Sequence, residues 1–286
     1  MPRAPYMALV AAVLAISTAA PLVALADPAP PLTVAFSRVA LAGVLFALAR
    51  PGQLVALASL SAKDAARIVL AGALLAAHFG AWITSLYLTS TASSVALVAT
   101  QPVFAALLGA ALLGDRVARR EWIGIAVAAA GCALIAAGDL GRGGAVRGDL
   151  LALLGAASVA GYFVVGRSLR ASLPLLPYLA AVHLVAAALL GAAVVATGSQ
   201  LAGFSPGVYT AMAAAAVVPS IVGHSLLNAA VRRAPAHLVT LAILGEPIGA
   251  SMIAFAILGE VPPLTAAAGG LVILAGIAVG FARRER

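Results

Sequence analysis

Charge is scarce in this chain, and acid is scarcer than base. Only 9% of its 286 residues are charged, nine of them acidic and seventeen basic. Soluble domains carry about a quarter charged residues, so this chain cannot cover an ordinary water-facing surface. Cysteine is almost missing. Cys132 stands alone inside an apolar run, which excludes an intramolecular disulfide and a cysteine-based metal site. It reads as a small buried hydrophobe. Catalytic patterns are missing too. There is no His-x-x-x-His pair, no serine beside a base in a strand-turn-helix frame, and no phosphate loop. The Gly141–Gly144 stretch has no strand before it and predicts no nucleotide site. No enzyme, no cofactor and no metal are expected.

What is present is hydrophobic: 64% of residues, with a mean hydropathy of +1.13. Such a chain belongs in lipid. The net charge of +8 does not point to nucleic acid, because the basic residues fall between apolar runs and form no soluble face. Abundant alanine and glycine let membrane helices approach closely.

A spanning helix needs roughly 20 apolar residues. Ten runs qualify: about 5–26, 31–49, 66–88, 92–113, 119–138, 148–168, 174–197, 207–231, 236–258 and 263–282. Proline and glycine mark the breaks, at Pro28 to Pro31, Pro51-Gly52, Pro174 to Pro177, Ser205-Pro206-Gly207, Pro235 and Pro262-Pro263. The longest polar stretches lie around 50–65 and 139–148. The fold class predicted is an all-α polytopic membrane protein with ten transmembrane helices and no extramembrane domain.

Lys and Arg set the orientation. With the N-terminus inside, the inner ends hold Arg3, Arg50, Lys63, Arg67, Arg116, Arg119, Arg120, Arg167, Arg170, Arg232, Arg233, Arg283, Arg284 and Arg286. The outer loops hold Arg142 and Arg147, and Arg38 alone is left within a span. Fourteen against two is a strong positive-inside bias. Both termini are expected in the cytoplasm.

The chain also repeats. A shift of 145 residues lays Gln101-Pro102 on Glu246-Pro247, Leu113-Gly114-Asp115 on Leu258-Gly259-Glu260, and Gly124 and Gly131 on Gly269 and Gly276. Arg38 falls on His183. Two units follow, 1–140 and 146–286, each with five spans. Five is odd, so the second unit enters the membrane from the opposite side. The charges agree: the outer loop 88–91 is uncharged, and its counterpart near 232–236 carries Arg232-Arg233. Arg3 and the run ending Ala24-Leu25-Ala26-Asp27 resemble a signal peptide. Residues 6–26 align with 151–171 at the same shift, which predicts that this first helix is kept. Inverted repeats usually surround a midplane site that faces each side in turn.

The ordered pair of copies carries a resemblance. The stretch from Gln101 to Asp115 with Gly124 and Gly131, then Glu246-Pro247, Leu258-Gly259-Glu260, Gly269 and Gly276, resembles the EamA-type drug/metabolite transporter family. Its aromatic amino-acid exporter branch is the nearest likeness. Asp115 stands where glutamate is commoner in the family. The resemblance implies ten helices in a five-plus-five inverted arrangement, with the fifth and tenth at the periphery. It also implies export or exchange of amino acids and similar small metabolites in the bacterial inner membrane. A proton-coupled exporter of lipophilic cations and a non-transporting receptor or enzyme are the rival readings. ATP-driven transport by this chain alone is not expected.

Polar groups inside the bilayer are expensive and mark candidate sites. Glu246 lies about ten residues into its span, roughly 15 Å deep. Pro247 has no N–H for the Ile243 carbonyl, so a broken turn is left beside a buried acid. Glu246 either meets a substrate amine or a proton, or packs as interhelical glue. Gln101, before Pro102, repeats the arrangement with the Val98 carbonyl. His78 and Trp82 share a face at i and i+4, as cavity lining or as packing. Arg38 and His183 are repeat mates a third of the way into their spans. For Arg38, outward snorkelling is weighed slightly above pairing with a substrate carboxylate. Ser17 and Tyr162 are mates as well. Pro21 frees the Ser17 carbonyl, and Tyr162 with Phe163 could wall a ligand. His224 and Asn228 share a face of the eighth run and read as a cytoplasmic gate or as interhelical bonding. Pro219 interrupts that run. Asp115 and Glu260 read as structural, capping the helices that follow. The partners expected are a small-molecule substrate, the lipid bilayer and protons, with no nucleic acid.

Overall fold

The computed structural model describes residues 4–137, 145–170, 173–259, 261 and 264–282. Arg3, Gly141–Gly144 with Arg142, Glu260, Pro262, Pro263, Arg283, Arg284 and Arg286 lie outside the described residues, as does the Arg170 side chain. Every regular element among the described residues is helical.

Helix α1 runs Ala4–Ser17 and, past Thr18, Ala19–Ala24; α2 is Pro31–Ala49 and α3 Ala62–Leu86. Helix α4 is Thr91–Val98 and then Gln101–Leu113; α5 is Arg119–Ala137, α6 Ala145–Arg170 and α7 Leu175–Thr197. Helix α8 is Pro206–Ala215, a π-helical stretch Ala216–His224, and Ser225–Val231. Helix α9 is Ala236–Ile243 and then Glu246–Leu258, and α10 is Leu264–Phe281. Nine of these are long and apolar enough to cross a membrane, and the tenth contributes a shorter apolar helix, Ala267–Phe281. The polar stretch after α2 folds into a 3-10 turn, Pro51–Leu54, and a short helix, Val55–Ala58, which the hydropathy pattern does not predict.

Local chemistry sets the ends. Ser61 and Ser90 cap α3 and α4, each hydroxyl accepting a backbone N–H at 3.1 Å, from Asp64 and Ser93. Proline opens α2, α8 and the second segments of α4 and α9, where its missing N–H costs nothing. The repeat mates Gly114 and Gly259 end α4 and α9 with φ of 68° and 71°. An L side chain rarely adopts that conformation, so glycine stops both helices.

Packing follows the 145-residue correspondence. Helix α3 packs on α6 as α1 packs on α8, α2 meets α7, and α5 meets α10. The last pair is a glycine contact. A Cβ on Gly124 would lie 2.6 Å from the Gly276 carbonyl oxygen, and one on Gly131 would lie 2.7 Å from that of Gly269. Swapping the halves turns one contact into the other. The main apolar core lies between α1–α3 and α6–α8, and a second cluster joins α5 and α10 to α4 and α9. Large apolar side chains such as Leu112, Val195, Met252 and Leu271 stay exposed around the outside, as a lipid-facing surface requires.

One sequence expectation for the loops needs correction. Asp115 does not cap α5. It lies four residues before Arg119, and the intervening backbone is not helical. Instead both its carboxylate oxygens accept from Nη1 of Arg167 on α6, one at 2.6 Å. Glu121 supplies the cap by accepting the Ala118 N–H at 2.7 Å, and the same oxygen meets His237 Nε2 at 3.2 Å.

Candidate functional site

Two broken helices cross at the centre. In α4 the Thr100 N–H turns back to the Leu97 carbonyl at 3.1 Å, and Pro102 adds no donor. In α9 the Leu244 and Gly245 N–H groups turn back to Leu241 and Ala242 at 3.3 and 3.2 Å. Each break restarts a helix at its polar residue, Gln101 in one and Glu246 in the other. The segment before one break packs against the segment after the other. Between them lies a cavity lined by Gln101, Glu246, and both residues whose carbonyls the prolines release, Val98 and Ile243. Its free volume is about 30 Å³. A water needs roughly 10–15 Å³ on this scale, so nothing larger than a water or two fits unless the helices part.

Helix α3 supplies one wall. His78 Nδ1 lies 2.9 Å from the Gly155 carbonyl, which can only accept. The proton is therefore on Nδ1, and the ring is pinned to α6. Trp82 lies parallel to the His78 ring, centroids 5.9 Å apart. Phe79 and Phe163 flank His224, with centroids 5.5 and 6.3 Å from its ring. All five side chains line the cavity.

Arg38 does not snorkel. It is 1% exposed and faces the cavity, because α3, α7 and α8 cover the surface of α2 through which it could reach water. Its Nε donates to Ser220 Oγ at 2.7 Å. The guanidinium carbon sits 4.3 Å from the Phe79 ring centre and 5.8 Å from that of Trp82. The π-helical stretch of α8 explains Ser220. Pro219 has no N–H for the Ala215 carbonyl four residues back. The Ser220 hydroxyl donates to that carbonyl at 3.3 Å and so turns a lone pair toward Arg38. Single π-type interruptions often occur at functional sites.

Four other residues flagged from the sequence sit behind the wall. Ser17 is buried, donating to Val13 O at 2.8 Å and reaching the Glu246 carbonyl at 3.4 Å. Tyr162 accepts from Asn228 Nδ2 at 2.7 Å, and Asn228 also donates to His224 O at 2.8 Å. His183 meets the Leu179 carbonyl at 2.8 Å and packs edge-on to Phe46. The fold thus brings Glu246, Gln101, His78, Trp82, Arg38 and His224 together, and leaves Ser17, Tyr162, Asn228 and His183 to support them. Pro21 lies in the buried second segment of α1, next to the cavity residue Ala19. Phe79 and Ser220 were not foreseen. Their only sequence signals are adjacency to His78 and to Pro219.

Residues 3–137 and 146–281 each match the EamA-like transporter family. The chain belongs to that family. Family membership makes it a membrane transporter of small molecules and singles out no branch. The cavity of this EamA-like protein lies where the two matched segments meet, drawing on helices from both. A solved structure, described only as the crystal structure of a protein, aligns over 98% of this chain and 97% of its own, at 20% identity and a TM-score of 0.80. At that identity it shows the shared fold. No curated protein matches.

Proposed function

We propose that this protein is a secondary transporter that exports or exchanges amino acids or similar small metabolites by alternating access. In this reading ten spans form two inverted five-helix units, 1–140 and 146–286, with both termini in the cytoplasm of a bacterial cell. Substrate binds between Glu246, Gln101, His78, Trp82 and Arg38, with His224 closing the wall. The observation that carries the reading is the crossing of two proline-broken helices at a buried cavity lined by both Glu246 and Arg38. Discontinuous helices at a repeat interface are how secondary transporters build midplane sites. The cavity now has room for water alone, so loading and release require the two units to separate on alternate sides. The same site can serve aromatic substrates through Phe79, Trp82 and Phe163.

Glu246 also supports a second reading, proton-coupled export of lipophilic cations, since a buried acid can release a proton when a cation arrives. Arg38 opposes it, because a permanent positive charge lines the same small cavity. Purified protein in proteoliposomes separates the readings. Saturable flux and counterflow of labelled amino acids are expected, with weak flux of tetraphenylphosphonium. Amino-acid flux indifferent to a pH gradient and retained in Glu246→Gln would remove proton coupling from Glu246. No protein-dependent flux of any solute would leave a receptor or enzyme as the reading.

A further inference from the structure

We infer that the central cavity selects zwitterions, with the Arg38 guanidinium taking the substrate's carboxylate and Glu246 its ammonium group. The inference rests on the transport reading and assigns the substrate class of that same site.

Arginine has five N–H donors and stays charged at any ordinary pH. Arg38 uses Nε on Ser220, and its Nη1 is buried with no partner among the described residues. Phe79 and Trp82 shield the guanidinium through cation–π contacts. With Nε occupied, the in-plane edge formed by the Nη groups is left for a ligand. That edge is the one that matches a carboxylate with two parallel hydrogen bonds. A permanent cation held this way, deep in a span, with a donor spare, is built for an anion.

An acid is close by but unengaged. Glu246 lines the same cavity, yet neither of its carboxylate oxygens lies within 4.0 Å of the Arg38 guanidinium. Glu246 makes no side-chain hydrogen bond to the described residues either. Two buried polar groups that do not touch each other leave their hydrogen-bonding capacity unmet. A zwitterion between them satisfies both ends at once. Gln101 Oε1, buried and without a partner among the described residues, offers a second acceptor to the ammonium. Apart from His78 and His224, whose rings pack among Trp82, Phe79 and Phe163, the rest of the lining is apolar, as at Ile16, Val98, Val159, Leu227 and Ile243. It suits an uncharged side chain.

The 20 common L-amino acids are screened by thermal shift and counterflow in proteoliposomes. The best one is then competed against its carboxamide, which lacks the carboxylate, and its des-amino acid, which lacks the ammonium. Wild-type protein should prefer the parent over either analogue by about tenfold or more, the worth of one charge-assisted bond. In Arg38→Gln the preference over the carboxamide should collapse to within about threefold, while the preference over the des-amino acid persists. Glu246→Gln should show the reverse. Arg38→Lys keeps the charge and should restore part of the acid preference, which separates recognition from folding. A carboxamide that competes as well as the parent, or a Gln variant that keeps both preferences, overturns the inference. If no amino acid binds but tetraphenylphosphonium is moved, the zwitterion assignment fails and transport stands. If neither is moved, the transport reading fails first.

Discussion

Gly269 and Gly270 are neighbours on α10, and adding one methyl group to each should have opposite effects. A Cβ on Gly269 would lie 2.6 Å from the Gly131 carbonyl oxygen. Backbone cannot move aside alone, so α5 and α10 must separate by about 1 Å to restore ordinary contact. Gaps of that size forfeit a quarter to a half of each dispersion contact along the seam, and overpacking of this kind costs about 1–3 kcal/mol. A Cβ on Gly270 would meet only the Ile248 side chain, with Cγ1 at 3.4 Å, an ordinary contact. Both changes gain about 1 kcal/mol of helix propensity over glycine. With the clash near the upper end of its range, Gly269→Ala nets about 2 kcal/mol of destabilisation. Gly270→Ala nets about 1 kcal/mol of stabilisation. For a chain of this size each kcal/mol moves Tm by about 2–4 °C, so the two variants should differ by about 6–12 °C. Thermal unfolding of the purified protein in one detergent, followed by tryptophan emission and by light scattering, measures the gap. Gly269→Ala unfolding at or above the temperature of Gly270→Ala would refute the close α5–α10 contact.

Other consequences can be checked in the same preparations. Ser220→Ala strips Arg38 Nε of its acceptor and the Ala215 carbonyl of a donor, and should cost about 1–3 kcal/mol of stability and slow transport; Ser220→Thr should retain most of both. Asp115 and Arg167 are largely buried at one end of the bundle, with side chains 9% and 27% exposed. Asp115→Asn should therefore cost about 1–2 kcal/mol, between the values for surface and buried pairs. Adding Arg167→Gln should recover part of that in a double-mutant cycle. Tyr162→Phe leaves Asn228 Nδ2 with only the His224 carbonyl and should destabilise by about 1 kcal/mol. It should change substrate affinity by less than about threefold, because Tyr162 lies behind the cavity wall.

The polar residues divide into those whose place was legible in the chain and those that were not. Glu246 and Gln101 could be found because a proline follows each at the same register of the repeat, and proline acts on local backbone. His78 and Trp82 could be found because i and i+4 share a face of any helix. Arg38 was the miss. Nothing local says whether a long cation eight residues into a span reaches the surface or turns inward. That depends on whether neighbouring helices cover it, and α3, α7 and α8 do. Asp115 failed for a related reason: its capping role was read from nearness in sequence, while its partner is 52 residues away on α6.

The sequence by itself determined the medium, the helices, their repeat and the points where they break. Apolar runs, proline and glycine act over a few residues, and a 145-residue self-match needs no coordinates. Only the tertiary structure decided which polar groups share the cavity, that Arg38 rests on Ser220 and Phe79, and that Tyr162 and His183 stand outside. Those outcomes depend on which faces of seven different helices meet. Helix faces in lipid are all apolar, so hydropathy has no preference among them; close packing at small residues and the pairing of a few buried polar groups make the choice.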